Sequence, residues 1–358
     1  MGKKILFVTP YPKDTAPSQR LRFEAFYAQF EAQGFQVEMK PFVSYSFWNV
    51  IYTRGNLLRK VIYTLEGYLK RILLLFSLRK YDLVYIHLWV VPFAPPIFEW
   101  LFTKIAKATV YDIDDMLYVG DTSRFNKAVS FLKSKSNPLY LLKNCDHVIV
   151  STKANYDKAK ELNKSVTNIP VCIDVERYKA VHKSNDKVVV GWTGSRSTSK
   201  YLYLLKPVFE KLVNRPDVEL LVIGDQDYKI DGVPITALKW SAETEVSDIN
   251  RIDVGLYPLP DEKWVLGKGG GKALQYMSLE IPVIATAVGE NLGIIDDGIN
   301  GFLIQPGDTQ QWYSKIQELI ESKKLRLQLG KNGRKKVEHS FSIKANVFNY
   351  ISVFDSLI

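Results

Sequence analysis

Six consecutive residues, Gly267-Lys268-Gly269-Gly270-Gly271-Lys272, combine what an anion site requires. Glycine lets the backbone approach a ligand closely, and the helical pattern Ala273 to Leu279 that follows offers unpaired N–H groups at its start. Lys268 and Lys272 add full positive charges. The spacing is that of neither a Walker A loop nor a dinucleotide fingerprint, and a flexible loop with solvated lysines has the same composition. A second stretch, Gly194-Ser195-Arg196-Ser197-Thr198-Ser199-Lys200, directly follows a β-branched run. Arg196 can grip a diphosphate bidentately and Lys200 adds charge. Ser195 and the hydroxyls after it can cap a helix or donate to phosphate oxygens. A plain strand-to-helix turn would use the same residues.

Carboxylates gather at Asp112-Ile113-Asp114-Asp115. On a continuing strand Asp112 and Asp114 project to one side, so they could hold a divalent ion or supply a base; alternatively, Asp114 or Asp115 caps the next helix. No further ligands are evident nearby, and no metal is assigned. His87 ends the run Leu83–His87 and suits acid–base or hydrogen-bonding work, or a structural place in the core. His147, His182 and His339 read as structural or exposed. After the first strand come Pro12 and then Arg20 and Arg22 at a helix start, where they could hold an anion or a hydroxyl-rich ligand, or merely cap the helix in solvent.

These residues need a frame that brings them to one edge. Short β-branched runs alternate with longer helical patterns along the whole chain. Strands are expected at 4–9, 36–39, 83–87, 109–112 and 147–151, then at 187–192, 219–223, 254–257 and 281–285. Helices are expected near 17–34, 50–79, 93–107, 125–144 and 152–162. Such alternation implies parallel sheets covered on both faces, whose ligands bind beyond the carboxyl ends of the strands. Two series imply an α/β chain of two doubly wound, Rossmann-type parallel-sheet domains facing a cleft. Apolar periodicity lapses between Asp174 and Asp186. The expected division is therefore 1–175, a linker 176–186, a second domain 187–340, and a C-terminal helix 341–358.

The 358 residues carry 48 Lys+Arg and 38 Asp+Glu, a formal charge of +10. The excess is confined to one half: residues 1–185 hold 27 basic and 16 acidic side chains, residues 186–358 hold 21 and 22. Within 40–80 eight basic residues face only Glu66, interleaved with Phe42, Tyr45, Trp48, Tyr52, Tyr63 and Tyr68. Basic amphipathic helices with aromatic anchors lie in the interface of anionic membranes, and a core helix with a solvated basic face is the plain alternative. No nucleic-acid module accompanies the charge, so nucleic acid is not the expected partner. Two cysteines, Cys145 and Cys172, make no disulfide framework and fit a reducing, cytoplasmic setting. No secretory signal is visible. The most apolar stretch, Ile72 to Phe76, is far shorter than the roughly 20 residues of a membrane span.

The run from Asp253 to Asp308 resembles nucleotide-sugar glycosyltransferases of the GT-B type, specifically retaining family 4 of the bacterial surface-polysaccharide kind. The matching residues are Asp253 to Pro260, the glycine loop, Lys272 to Met277, Pro282 to Thr286, Val288-Gly289, Asp297 to Ile304 and Pro306 to Asp308. The turn Gly191 to Gly194, with Asn168 to Pro170 and Ile173-Asp174, extends the likeness more weakly over the chain. Family members carry two glutamates eight positions apart around the loop; here those positions are Gly267 and Gln275. Gln275 can still bond a ribose hydroxyl, whereas Gly267 has no side chain.

The resemblance implies transfer of a sugar from a nucleotide-diphosphate sugar to a hydroxyl of a glycan or lipid-linked acceptor. Transfer would proceed with retention and without a metal or other cofactor. Gly194, Ser195, Arg196, Lys200, Lys268, Gly269, Gly270, Gly271, Lys272 and Gln275 would hold the donor. Asp112, Asp114, His87, Arg196 and Lys272 would serve catalysis, and Pro12, Arg20, Arg22 and Asp115 the acceptor. The C-terminal helix would pack back on the first domain. A GT-B epimerase or phosphorylase, or a catalytically weak donor-binding subunit, is the alternative. An anionic membrane met through 40–80 on the inner face of the cytoplasmic membrane is the expected partner.

Overall fold

The computed structural model describes residues 2–51, 53, 55–93, 95–119, 136–181 and 186–358. Tyr52, Arg54, His182 and the first part of the helix expected at 125–144 lie outside the described residues. The chain divides into two compact units, Met1–Pro170 with Asn346–Ile358, and Val171–Ala345.

The first unit is built on a six-stranded sheet in the order β2-β1-β3-β4-β5-β6. Its strands are β1 (Lys4–Thr9), β2 (Gln36–Pro41), β3 (Leu83–His87), β4 (Thr109–Ile113), β5 (His147–Val150) and β6 (Val166–Asn168). Every pairing is parallel. β3 and β4 are buried at every position, as their unbroken apolar and β-branched runs require of central parallel strands. Their register sets His87 beside Asp112, so both side chains leave the same face at the carboxyl edge. Within this unit the end of the helix Ile343–Leu357 buries Tyr350 and Phe354 against Phe26 and Phe30, at 4.8 and 5.1 Å between ring centroids.

The second unit repeats the architecture with β7 (Val188–Thr193), β8 (Val218–Ile223), β9 (Thr236–Leu238), β10 (Val254–Tyr257), β11 (Val283–Thr286) and β12 (Gly301–Ile304). The order β12-β11-β10-β7-β8-β9, again all parallel, reverses between β7 and β10. That reversal is the switch point where a doubly wound sheet leaves a crevice at its carboxyl edge. The helix Gly271–Ser278 lies over it. A Cβ on Gly255 of β10 would stand 2.5 Å from the Tyr276 ring, so only glycine lets this helix approach so closely. The Tyr276 hydroxyl then accepts the Thr193 N–H at 2.8 Å, tying the helix to the end of β7.

Within the stretch expected as the linker, Arg177 pairs with Glu245 at 3.2 Å, and the Tyr178 hydroxyl accepts from Gln275 at 3.0 Å, both inside the second unit. One expectation is revised. Arg71, counted with the basic surface of 40–80, is fully buried and donates to the carbonyls of Val90, Lys40 and Thr9, each at 2.9 Å. Burial lowers its pKa to about 9.

Candidate active site

The strongest candidate lies at the carboxyl edge of the second sheet. Gly270 opens the helix Gly271–Ser278 in the left-handed region at φ +70°, and no side chain caps it. Its first N–H groups are thereby left for an anion. Lys272, in the first turn, stands over two aromatic rings, 5.6 Å from the Trp192 centroid at the end of β7 and 5.2 Å from Tyr257 at the end of β10. Its methylene stem crowds Gly194, where a Cβ would come within 2.6 Å. Among the described residues no carboxylate neutralises it. Burial, and then the neighbouring charge of Lys268, lower its pKa to about 8. An ammonium disfavoured by its surroundings regains its charge when an anion arrives.

The other expected donor residues are less uniform. Gly269, Gly270 and Gly271 sit at this helix start with Lys268, whose ammonium is 5.7 Å from the Trp264 ring. Arg196 is 75% exposed and turned to Asp227 at 3.2 Å. Ser195 exchanges hydrogen bonds with Ser197 and Thr198, and Lys200 lies over Tyr201. The turn leads into a 3-10 helix, Ser199–Leu205, without a side-chain cap, so the expected α-helix start is absent there. Gln275 is buried and donates to the Tyr178 hydroxyl and to Glu245 at 3.3 Å, so its amide N–H groups are committed within the protein.

The first unit brings Arg22, His87 and Asp112 together, though not as expected. Arg22 is only 1% exposed, too deep to grip a ligand from solvent. Its guanidinium chelates Asp112 and donates to the Ile169 carbonyl at 3.0 Å. Asp112 also meets His87 Nδ1 at 2.7 Å. Burial pushes the Asp112 carboxyl up, but the charge of Arg22 and the His87 bond outweigh it and hold the carboxyl at about 2. Asp112 is therefore a positioning residue that orients His87, whose Nε2 is buried without a partner. Asp114 Oδ1 is likewise buried and unpartnered, and burial followed by repulsion from Asp115 raises the Asp114 carboxyl to about 6. Pro12 and Arg20 are buried in the N-terminal loop and its first helix. Among the described residues no group of three or more His, Cys, Asp or Glu could hold a metal ion.

Trp192, Tyr257, Tyr178 and Glu245 had no local signal in the sequence. Trp192 and Tyr257 are 65 positions apart, and only the β7–β10 pairing places both beneath Lys272.

Two parallel Rossmann-type sheets of six strands each give the chain the GT-B type of α/β fold. Sucrose-phosphate synthase from Thermosynechococcus elongatus has the same fold at a TM-score of 0.71 and 16% identity, over 99% of both chains. Anabaena HepE in complex with UDP-glucose follows at 0.66 and 16%, over 99% of each. The second unit carries a Glycosyl transferases group 1 domain, matched over residues 187–322. CapM, a capsular polysaccharide biosynthesis glycosyltransferase of Staphylococcus aureus, is 31% identical over 44% of this chain and 43% of its own length. The sulfoquinovosyl transferase SQD2 of Arabidopsis thaliana is 30% identical over 43% of this chain and 30% of its own. The chain thus spans less than half the length of these curated relatives.

Proposed function

We propose that the protein transfers a sugar from a nucleotide-diphosphate sugar to a hydroxyl of a glycan or lipid-linked acceptor in polysaccharide biosynthesis. The observation that carries this reading is Lys272, an ammonium without a counter-charge beside an uncapped helix start at the switch point. A diphosphate supplies the missing charge, and the same groups stabilise what accumulates as the nucleotide leaves. With Lys272 and the helix N–H groups in that role, and Arg196 and Lys200 able to swing in, no metal is called for. HepE in complex with UDP-glucose, and the group 1 domain, support the same donor class.

In the reaction the bond from the anomeric carbon to the β-phosphate oxygen breaks and a bond to the acceptor oxygen forms. Attack from the face the nucleotide leaves retains configuration, and the acceptor proton passes to the departing phosphate. His87, held by Asp112, is buried together with its Nε2, so no acceptor contact is assigned to it. The lipid-linked form of the acceptor would be met at the inner face of the cytoplasmic membrane.

The test is thermal stabilisation by UDP, GDP, TDP and ADP and their sugars, repeated with EDTA. One nucleotide family should raise the melting temperature regardless of EDTA, and a flat panel overturns the donor site. Product analysis by NMR then separates the outcomes. An α-linked product from an α-linked donor supports retention; free sugar or sugar phosphate indicates an epimerase or phosphorylase. Stabilisation without turnover leaves a donor-binding subunit, which Gly267 and the committed Gln275 would suit.

A further inference from the structure

The helix Leu57–Leu75 has two apolar sides, and the unit's core accounts for only one. Gly67, Arg71 and Leu74 face inward, with Gly67 so close to Phe42 that a Cβ would stand 2.6 Å from its ring. At 3.6 residues per turn, Leu58, Ile62, Leu65, Leu69, Ile72 and Phe76 centre about 180° away from Gly67. Their spacing of four, three, four, three and four makes one continuous stripe, about 28 Å long over the helix. All six are exposed, Leu58 at 73%, Leu65 at 63% and Phe76 at 85%. The helix Ile97–Ile105, which packs beside it through Tyr68 and Phe98, exposes Ile97 and Trp100 as well. Singly exposed leucines are ordinary, but a stripe of this length marks a docking face.

We propose that this stripe lies in the interface of an anionic lipid bilayer. Charge decides the occupant. Arg59 flanks the stripe, Arg79 and Lys80 follow it, and Glu66, the one carboxylate on the helix, is already paired with Lys70 at 2.5 Å. Those cations favour anionic headgroups while the leucines enter the acyl boundary. A second copy docking through the same face would oppose these cations with their own duplicates. No helix among the described residues is long and apolar enough to cross a membrane, so the stripe lies along the surface.

The inference deepens the reading of a lipid-linked acceptor, yet its test reads partitioning and not transfer, so either can fail alone. The full chain is floated with vesicles of 70:30 phosphatidylcholine:phosphatidylglycerol and with phosphatidylcholine alone. The wild type should float with the anionic vesicles and much less with the neutral ones. Leu58→Gln/Leu65→Gln/Leu69→Gln should lose more than about tenfold in partitioning, because three exposed leucines no longer enter the apolar layer. Its melting temperature and nucleotide stabilisation should stay unchanged. Arg59→Gln/Arg79→Gln should lose a few-fold and respond less to salt. Equal binding to both vesicles, binding to neither, or a triple variant that floats like the wild type overturns the proposal. So does a wild-type dimer in solution that the triple variant abolishes, which would assign the face to a second copy.

Discussion

The carboxyl edges of the two sheets solve the burial of charge in opposite ways. In the first unit Arg22, Asp112 and His87 form a closed set: each charge is met by another, and all three side chains are inaccessible to solvent. In the second, Lys272 is held over Trp192 and Tyr257 with no carboxylate beside it among the described residues. A self-neutralised, buried cluster has little to gain from an incoming ion and is suited to fixing the carboxyl ends of β3 and β4. An unmatched cation gains most from an anion. On the function proposed above, the diphosphate therefore belongs to the second unit, where the unmatched cation stands.

The largest expected effect breaks the closed set. Arg22→Met leaves Asp112 buried with only His87 and should cost about 3–5 kcal/mol in urea unfolding. The low carboxyl pKa of Asp112 adds a pH signature. Its stabilisation is full above the unfolded value near 4 and fades as pH falls toward 2, so the variant's deficit should shrink in acid. A deficit under about 1 kcal/mol would mean that the cluster is not held by its own charges.

Lys272→Ala is the converse. It removes a poorly solvated charge, so the melting temperature should hold or rise, while nucleotide affinity and transfer should fall about 10²–10³-fold. Calorimetric titration and an activity assay would measure both. Because burial lowers the Lys272 pKa to about 8, wild-type affinity should weaken as pH rises through that value. Lys272→Arg should keep affinity to higher pH, and a pH-independent wild type would remove Lys272 from the phosphate site.

Asp114 tests whether the first unit tolerates an unmatched group as well. Its carboxyl titrates near 6, above the unfolded value, so ionisation at pH 8 opposes folding and protonation on falling through 6 relieves the cost. Asp114→Asn should stabilise by about 2 kcal/mol at pH 8 and by little at pH 4. Stabilisation independent of pH would sink this account of Asp114.

The contrast between the edges was only partly readable from residue order. The runs of β1, β3 and β10 were legible to the residue because central parallel strands carry nearly continuous apolar runs. β6, β9 and β12 escaped, being strands of only three or four residues at sheet edges. The glycine loop could be read as a candidate anion site because its chemistry is local. The Arg22–Asp112 pair spans 90 positions and joins the turn after the first helix to the end of β4, so Arg22 read as a ligand-binding arginine. Arg71 misled for a related reason: within a basic stretch, nothing in composition tells the arginine that three backbone carbonyls will draw inward.

The smallest effect falls between the two behaviours. Arg196 is exposed and paired with Asp227, so it is neither closed in nor unmatched. An exposed pair of this kind contributes well under about 1 kcal/mol and competes weakly with a phosphate for the guanidinium. Asp227→Ala leaves Arg196 only Asp225, at 3.9 Å, and should tighten nucleotide binding by about two- to threefold, whereas Arg196→Ala should weaken it about tenfold. If Asp227→Ala instead weakens binding as much as Arg196→Ala, the pair acts as a unit. Arg196 then belongs with the self-neutralised clusters, and Lys272 and the helix start hold the diphosphate without it.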